Sequence, residues 1–408
     1  MGLAAIEPAL DRVEEEASET AHRFARDVLR PIGAHLDRLS DPEEVIAAGS
    51  PLWDAFERYR ALGLDVLEGA ALGSGDGSDR SSLLESARLR FLVSEELGWG
   101  DAGLAISLGV SSFPRMFALL SGVPALVERF AAPGAADIGC WAITEPDHGS
   151  DSLMVTEPHF SDGRLRPNCV ARRDGSHYVI NGQKSAWVSN GTIATAAALF
   201  CTVDPSHGMG AGCVAVVPLD LPGVSRGRPL DKLGQRALNQ GEIFFEDVRI
   251  PAEYVVVGPE AYASVVEAVL TLANASMGAI FVGLARAALE HAVAYAKERV
   301  QGGRPIFEHQ SVKGRLFRIF MQVEAARSLA WRVMLQNAGG TPLVQYSIAS
   351  KVFCTNAAFE AANAALQIFG GNGLSREYPI EKLLRDARAS MIEDGCNEAL
   401  SLIGAARL

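Results

Sequence analysis

Near the end of the chain, Met391 to Leu400 reads MIEDGCNEAL, where Asp394 stands directly before Gly395, Cys396 and Asn397. A carboxylate at this place has two readings. Asp and Asn both cap helices well, accepting a hydrogen bond from a free backbone N–H, and EALSLIGAARL follows as a helix in need of a cap. A carboxylate is also a general base once its surroundings raise its pKa toward neutrality. Two other stretches carry side chains suited to a planar ligand. In CWAITEPDHGSD, Cys140 to Asp151, an apolar run ends in Thr144 and Glu145 and then a Gly149-Ser150-Asp151 turn, which an ordinary strand-to-loop exit explains equally well. In KSAWVSNG, Trp187 precedes Ser189 by two residues and so shares a strand face with it. An indole so placed is usually core, yet beside a hydroxyl it can also stack on an aromatic ring system whose heteroatom the hydroxyl bonds.

Other chemistries are excluded by what the chain lacks. No Gly-x-Gly-x-x-Gly follows a strand, no Gly-Lys-Ser/Thr loop appears and no His-Glu-x-x-His motif appears, which argues against nicotinamide, P-loop and zinc-peptidase chemistry. The six cysteines, at 140, 169, 201, 213, 354 and 396, have neither metal-ligand spacing nor the density of a disulfide framework, so they read as reduced thiols of a cytoplasmic protein. A formal charge of −12 with scattered basic residues leaves no footprint for nucleic acid. The N-terminal MGLAAIEPALDRVEEEASE is too acidic for a signal or transit peptide, and Val265 to Leu289, broken by Asn274, Ser276 and Arg286, suits a buried helix rather than a membrane span.

These residues need elements to position them. With 408 residues, 48% of them apolar, the chain can bury a large core in two or three subdomains. Up to about Pro133 the apolar spacing is helical, as in EEEASETAHRFARDVLRPIGAHL, punctuated by Pro31, Pro51 and GSGDGSD. From Asp137 to Pro251 short apolar runs predict strands: CWAIT, HYVI, AAALFCTV, CVAVVPL and EIFFEDVRI, with Asn181-Gly182 read as a hairpin turn between HYVI and KSAWVS. Helical spacing then returns. Val312, Leu316, Ile319, Phe320, Val323, Ala326, Leu329, Ala330 and Val333 form one wide stripe, and a second helix stops at Gly370-Gly371. The expected class is α+β, divided as 1–135 helical, 136–252 β and 253–408 helical, with cofactor sites in the clefts between.

Four motifs in this order make the chain similar to the acyl-CoA dehydrogenase family of flavoproteins. AITEPDHGSD resembles Ala-x-Thr-Glu-Pro-x-x-Gly-Ser-Asp, and KLGQRALNQGEIFFEDVRIP resembles the signature ending Phe-Glu-Asp-Val-x-Val-Pro. ERVQGGRPIFEHQSV resembles Arg-x-x-Phe-Gly-x-Pro-Ile with its following Gln, and QIFGGNGLSREYPIEKLLRDAR resembles Gln-Ile-x-Gly-Gly-x-Gly with Glu-Tyr-Pro and Arg-Asp. The resemblance implies a helical N-terminal domain, a middle β-barrel and a C-terminal four-helix bundle. It implies FAD, contacted by Trp141, Ile143, Thr144, Ser150, Trp187, Val188 and Ser189, with Cys396 and Glu398 adding contacts. Trp187 would cover the ring face turned from substrate and Ser189 would reach its N5 side. Arg299 and Gln310 would bind a neighbouring subunit's FAD in a homodimer or homotetramer, Gln367, Gly370 and Gly371 adding backbone contacts; a guanidinium fork suits a pyrophosphate.

The same resemblance places Asp394 where the family keeps the Glu of Tyr-Glu-Gly-Thr, the base that removes an α-proton. It implies that Ser150 and Gly395 touch substrate and that the Asp394 N–H and a ribityl hydroxyl hold a thioester oxygen. The implied activity is α,β-dehydrogenation of an acyl thioester of coenzyme A or an acyl carrier protein, with electrons leaving to an electron-transfer flavoprotein. Four departures stand against the pattern: Asp for Glu, Cys396 for Thr, Gly302 for an aromatic, and one extra residue in KSAW. Aspartate is about 1.5 Å shorter in reach, while a base must come within about 3 Å of its target. An aspartate base is also similar to the nitroalkane oxidases, though their Arg seven residues on is here Ser401, and Ala273 stands where some relatives keep a base. A flavin oxidase or monooxygenase on this scaffold is thus the alternative, and a flavin-holding scaffold without chemistry a third.

Overall fold

The computed structural model describes residues 10–64, 80–132 and 134–408. GSGDGSD and Pro133, with the first nine residues of the N-terminal segment, lie outside them. Among the described residues eight helices come first: α1 Arg12–Phe24, α2 Arg30–Arg38, α3 Pro42–Val45, α4 Leu52–Ala61, α5 Arg80–Gly100, α6 Ala102–Val110, α7 Phe113–Ser121 and α8 Pro124–Phe130. Asp11 starts α1 with a capping box, its carboxylate on the Glu14 N–H and the Glu14 carboxylate on its own N–H. A π-turn over Ala25–Leu29 joins α1 to α2.

The middle of the chain forms one mixed sheet: β1 Gly139–Ala142, β2 Val170–Asp174, β3 His177–Ser189, β4 Ala196–Thr202, β5 Gly212–Pro218, β6 Val224–Arg226, β7 Gln240–Pro251 and β8 Val255–Val257, in the order β6-β7-β3-β2-β4-β5-β8. β1 lies alongside β4, parallel to it, and β2 meets β4 in parallel as well; the remaining pairs are antiparallel. Strands β4 and β5 are buried along their whole length, the condition under which an unbroken apolar run replaces alternation.

One expectation is corrected here. Asn181-Gly182 does not turn a hairpin: β3 runs straight through it, and the reversal between β2 and β3 falls at Gly175-Ser176. Gly182 takes φ +122° at a break in register with β7, and a Cβ there would stand 2.5 Å from the Asn168 carbonyl oxygen. It is a bulge glycine, not a turn glycine. Asn181 fixes the bulge by accepting the Asp247 N–H at 2.9 Å and donating to the Asp247 carboxylate at 3.0 Å.

The rest is helical. The 40-residue α9, Pro259–Glu298, is followed by a short hairpin, β9 Val300–Gln301 and β10 Arg304–Pro305, and by α10 Gln310–Gly339, α11 Val344–Phe369, α12 Ile380–Ser390 and α13 Asn397–Ala405. α9 is long and apolar enough to cross a membrane by composition, but α5, α10 and α11 pack around it and it is the central core helix. It crosses α5 closely: a Cβ on Gly98 would lie 2.0 Å from the Ile280 carbonyl oxygen, and one on Gly283 2.0 Å from that of Glu95. Arg286 donates to Glu95 at 2.9 Å and to Glu96 at 2.5 Å, and Arg327 donates to Glu95 at 2.9 Å, so a buried charge cluster ties α5, α9 and α10. On α10 the predicted stripe faces inward at Leu316, Ile319, Val323, Ala326, Ala330 and Val333. Gly370 ends α11 with φ +61° and ψ −138°, a glycine conformation outside the left-handed helical region.

Candidate active site

Where the sheet meets the helices, a cavity of about 550 Å³ opens. Ile106, Val110, Phe113, Met116, Leu153, Leu272, Met277 and Ile280 give it an apolar lining. Trp141, Ile143, Thr144, Ser150, Trp187, Ser189, Asp394 and Gly395 border the same space, so eight of the residues singled out in sequence come together. Val188 does not; it is buried in the core of the sheet. Cys396 and Glu398 stand just beyond the rim at the start of α13.

The loop after β1 is held by a buried ion pair. Lys184 on β3 donates to the Glu145 carboxylate at 2.6 Å and to the Ile143 carbonyl at 3.1 Å, with both side chains almost wholly buried. Glu145 also accepts the backbone N–H groups of Asn168 and Cys169. Beyond Lys184 the pairing with β7 slips by two residues before Val188, which absorbs the extra residue of KSAW and swings Trp187 outward. Its indole is 58% exposed although it lines a largely apolar cavity. Gln240 on β7 donates to the Ser189 hydroxyl at 3.2 Å and to the Trp187 carbonyl at 3.3 Å, fixing both. Trp141 stacks on Phe113 at 5.5 Å and leaves its indole N–H buried without an acceptor.

This wall suits a flavin. An open indole face, two hydroxyls at Thr144 and Ser189 and an orphaned indole N–H supply the stacking surface and hydrogen bonds that a planar, heteroatom-rich ring needs. The residues present therefore fit FAD.

Asp394 lies on the loop between α12 and α13 with φ +51°, an uncommon backbone for a non-glycine residue. The capping expectation is corrected: Cys396 is the N-cap of α13 and no side chain caps that helix. Asn397 is turned inward instead, donating to the Thr355 hydroxyl and to the Asn356 side-chain oxygen at 3.1 Å each and accepting from Lys351 at 2.9 Å. Among the described residues no hydrogen bond engages the Asp394 carboxyl, and the residue borders the cavity. Burial raises its pKa, with the Lys351 ammonium acting in the opposite direction. Lys351 donates to the Gly395 carbonyl at 2.8 Å, and burial lowers its own pKa to about 8. The Ser150 hydroxyl accepts the Cys396 N–H at 2.9 Å and so clamps the loop after β1 onto the Asp394 loop. Ser401 donates only to the Asn397 carbonyl and brings no charge toward Asp394.

A side chain that sequence reading passed over stands next door. Glu393 borders the cavity and takes the tyrosine position of Tyr-Glu-Gly-Thr. Burial and then the neighbouring Asp394 raise its pKa to about 7, against the pull of Gln235, Lys351 and Lys232. Gln235 donates to it at 2.5 Å and is itself held by Asp386, which accepts the Gln235 N–H at 2.5 Å and the Lys382 ammonium at 2.5 Å. Lys382 continues to Asp101, the N-cap of α6, at 2.6 Å. Glu145 and Lys184 were likewise passed over, although both stand inside quoted motifs.

The remaining residues lie elsewhere. Arg299, the C-cap of α9, and Gln310, the first residue of α10, are exposed on either side of the β9–β10 hairpin. Gln367, Gly370 and Gly371 are exposed at the end of α11. Tyr295 joins the two groups, stacking on Phe369 at 4.1 Å and accepting from Asn372 at 3.0 Å.

Comparison with known proteins agrees with this geometry. Residues 140–248 match the family model of the acyl-CoA dehydrogenase middle domain, and residues 263–408 that of the acyl-CoA dehydrogenase C-terminal domain. A short-chain-specific acyl-CoA dehydrogenase of Megasphaera elsdenii is 33% identical over 399 residues, 97% of each chain. A probable acyl-CoA dehydrogenase of Bacillus subtilis is 30% identical over 408 residues, 98% of each. The solved structure of butyryl-CoA dehydrogenase from Megasphaera elsdenii superposes with a TM-score of 0.82 at 26% identity, covering 98% of this chain and 99% of that one. By its two domain matches, its full-length relatives and its fold, the chain belongs to the acyl-CoA dehydrogenase family, FAD-dependent oxidoreductases acting on CH–CH bonds.

Proposed function

We propose that the protein introduces a double bond between Cα and Cβ of an acyl thioester, with Asp394 as the base. The observation that carries this reading is a carboxyl of raised pKa in the same cavity as Trp187, Ser189 and Thr144. Asp394 takes the α-proton, its basicity raised because an apolar cavity solvates a carboxylate poorly. The Asp394 N–H has no acceptor among the described residues, which leaves it for the thioester oxygen on which negative charge develops. Gly395 and Ser150 border the same space for the acyl carbonyl end. Trp187 would cover a face of the flavin and Ser189, aligned by Gln240, would bond it, and FAD when bound would supply the acceptor for the β-hydrogen as hydride. An electron-transfer flavoprotein would take up the electrons.

Arg299, Gln310, Gln367, Gly370 and Gly371 would serve the FAD of a second copy in a homodimer or homotetramer. Two features support this: these residues are exposed away from the cavity, and Phe317, Met321, Tyr346 and Phe353 expose apolar surface along α10 and α11. The domain limits 1–135, 136–252 and 253–408 and a cytoplasmic setting belong to the same reading, the latter supported by six free thiols.

The test is anaerobic flavin bleaching of the holoenzyme by a panel of thioesters on coenzyme A and on an acyl carrier protein. Bleaching by at least one, without release of hydrogen peroxide at a catalytic rate in air, is expected. A flavin that no thioester bleaches but a nitroalkane does, with fast reoxidation by oxygen, would replace the dehydrogenase by the oxidase.

A further inference from the structure

The apolar cavity holds one carboxyl more than the proton abstraction needs. Glu393 directly precedes Asp394, and both border the same space. It is a placed group: its Oε1 accepts from Gln235, whose own amide is pinned through Asp386 and Lys382 to Asp101. The two lysines nearby are spent elsewhere. Lys232 donates to the Leu238 carbonyl at 2.7 Å and the Gln240 side chain at 2.8 Å, and Lys351 donates to the Gly395 carbonyl and Asn397. Arg388 and Asp231 also border the cavity, and neither is hydrogen-bonded to Glu393. The second oxygen of Glu393 therefore has no protein donor among the described residues, although another carboxyl stands beside it in the same cavity.

From this geometry we infer that Glu393 determines specificity: the cavity takes an acyl group carrying a hydrogen-bond donor near the reacting carbons, an amine above all, in preference to a plain hydrocarbon chain. This rests on the acyl thioester reading given above. A hydrocarbon packed over Glu393 strips water from a carboxyl and returns nothing, whereas an ammonium meets two carboxyls at once. A site built to bond a polar substrate group rejects the analogue lacking it, because its own buried group is then left unpaired. The discrimination expected from one such contact is on the order of tenfold to a hundredfold. Burial and the Asp394 carboxyl raise the Glu393 pKa although Lys351 and Lys232 pull it down, so a cation brought by a ligand would still be favoured there.

The experiment compares alanyl-CoA with isobutyryl-CoA, which differ by an ammonium in place of a methyl on Cα. Dissociation constants are measured from the perturbed flavin spectrum of the Asp394→Asn holoenzyme, with and without Glu393→Gln or Glu393→Leu. Because both ligands share one carrier, the carrier cancels in the ratio. Alanyl-CoA should bind at least tenfold more tightly; Gln should reduce that preference and Leu abolish or reverse it, with FAD content unchanged. A preference for isobutyryl-CoA, or a ratio that Glu393→Leu leaves unchanged, overturns the inference. If Glu393→Leu fails to retain FAD, Glu393→Gln alone decides, since it keeps volume and the bond from Gln235. Should the Asp394→Asn protein still reduce its flavin, the base assignment fails while the binding ratio still judges Glu393.

Discussion

The reaction cavity and the exposed end of the C-terminal helices hold their polar residues in different ways. Around the cavity four polar side chains of the wall are fixed by neighbours from other elements: Glu145 by Lys184, Ser189 by Gln240, Ser150 by the Cys396 N–H, Glu393 by Gln235. At the other end Arg299, Gln310 and Gln367 stand exposed, and their surroundings are ordered mainly by Tyr295 stacked on Phe369. The first region is preorganised within one chain, as chemistry requires. The second offers exposed donors, which is what the proposed role toward the FAD of another copy needs. Variants in the first should therefore act on folding or on rate, and variants in the second on cofactor retention through assembly.

Lys184→Met should have the largest effect. It leaves the Glu145 carboxylate buried without its cation, and breaking a buried pair on one side costs about 3–5 kcal/mol. The expected result is a marked fall in melting temperature together with loss of the Thr144–Ser150 geometry and of FAD. Equilibrium unfolding in urea measures it. A change below about 1 kcal/mol would mean that the Asn168 and Cys169 N–H groups alone hold Glu145, and that the cavity wall is less dependent on its ion pair than its burial implies.

Asp394→Asn comes next and separates rate from fold. Since no side chain of this loop caps α13, Asn should leave the melting temperature and the yellow colour unchanged. The rate of flavin reduction by a competent thioester should fall at least about 100-fold, as for a lost general base. Asp394→Glu sharpens the point: if the left-handed backbone at φ +51° carries the shorter side chain inward, the longer one should be impaired. Stopped-flow reduction reads both, and an Asn variant at the parental rate would remove Asp394 from the chemistry.

How much of this was legible in the sequence follows from the kind of force involved. Helix, sheet and helix in that order could be read because each rests on local apolar spacing, and α10 buries six of the nine residues of its predicted stripe, with Val312, Phe320 and Leu329 half-buried. The Asn181-Gly182 bulge could not, because the approach of the Asn168 carbonyl that demands glycine comes from a different part of the chain. The same limit explains Glu393 and Lys184. Both stood inside quoted stretches, but their meaning depends on Gln235, Asp386 and Glu145, which only folding brings to them. Asp394 was weighed as a cap because Asp and Asn both cap helices well and a helix follows; Cys396 at the N-cap and an inward-turned Asn397 decide otherwise.

Arg299→Ala tests the second region. A charge-assisted contact to a pyrophosphate is worth about 1.5–3 kcal/mol, so FAD retention should weaken accordingly while the fold of the single chain is preserved. Fluorescence of released flavin gives the affinity, and sizing in parallel gives the assembly state. A monomer that retains FAD with parental affinity would show that the exposed end has no part in the cofactor site, and the contrast between the two regions would lose its functional meaning.

The smallest effect, and the one that separates Glu393 from its neighbour without any substrate, is on stability against pH. Burial and Asp394 hold the folded-state pKa of Glu393 at about 7, above the value near 4.3 expected in the unfolded chain. Between those values the folded protein binds more protons than the unfolded one, so the Glu393 contribution makes stability fall as pH rises, and the loss is complete above the folded pKa. Glu393→Gln removes this titration while keeping an oxygen for the Gln235 amide. The difference in stability, variant minus parent, should therefore grow between pH 5 and pH 8. Because the side chain borders the cavity and its water, the gain should be about 1 kcal/mol, less than the full linkage of the shift. Unfolding of the FAD-saturated proteins at several pH values measures it, and contributions common to both proteins cancel in the difference. A constant difference across that range would place an ordinary titration at Glu393 and move the raised pKa to Asp394 alone.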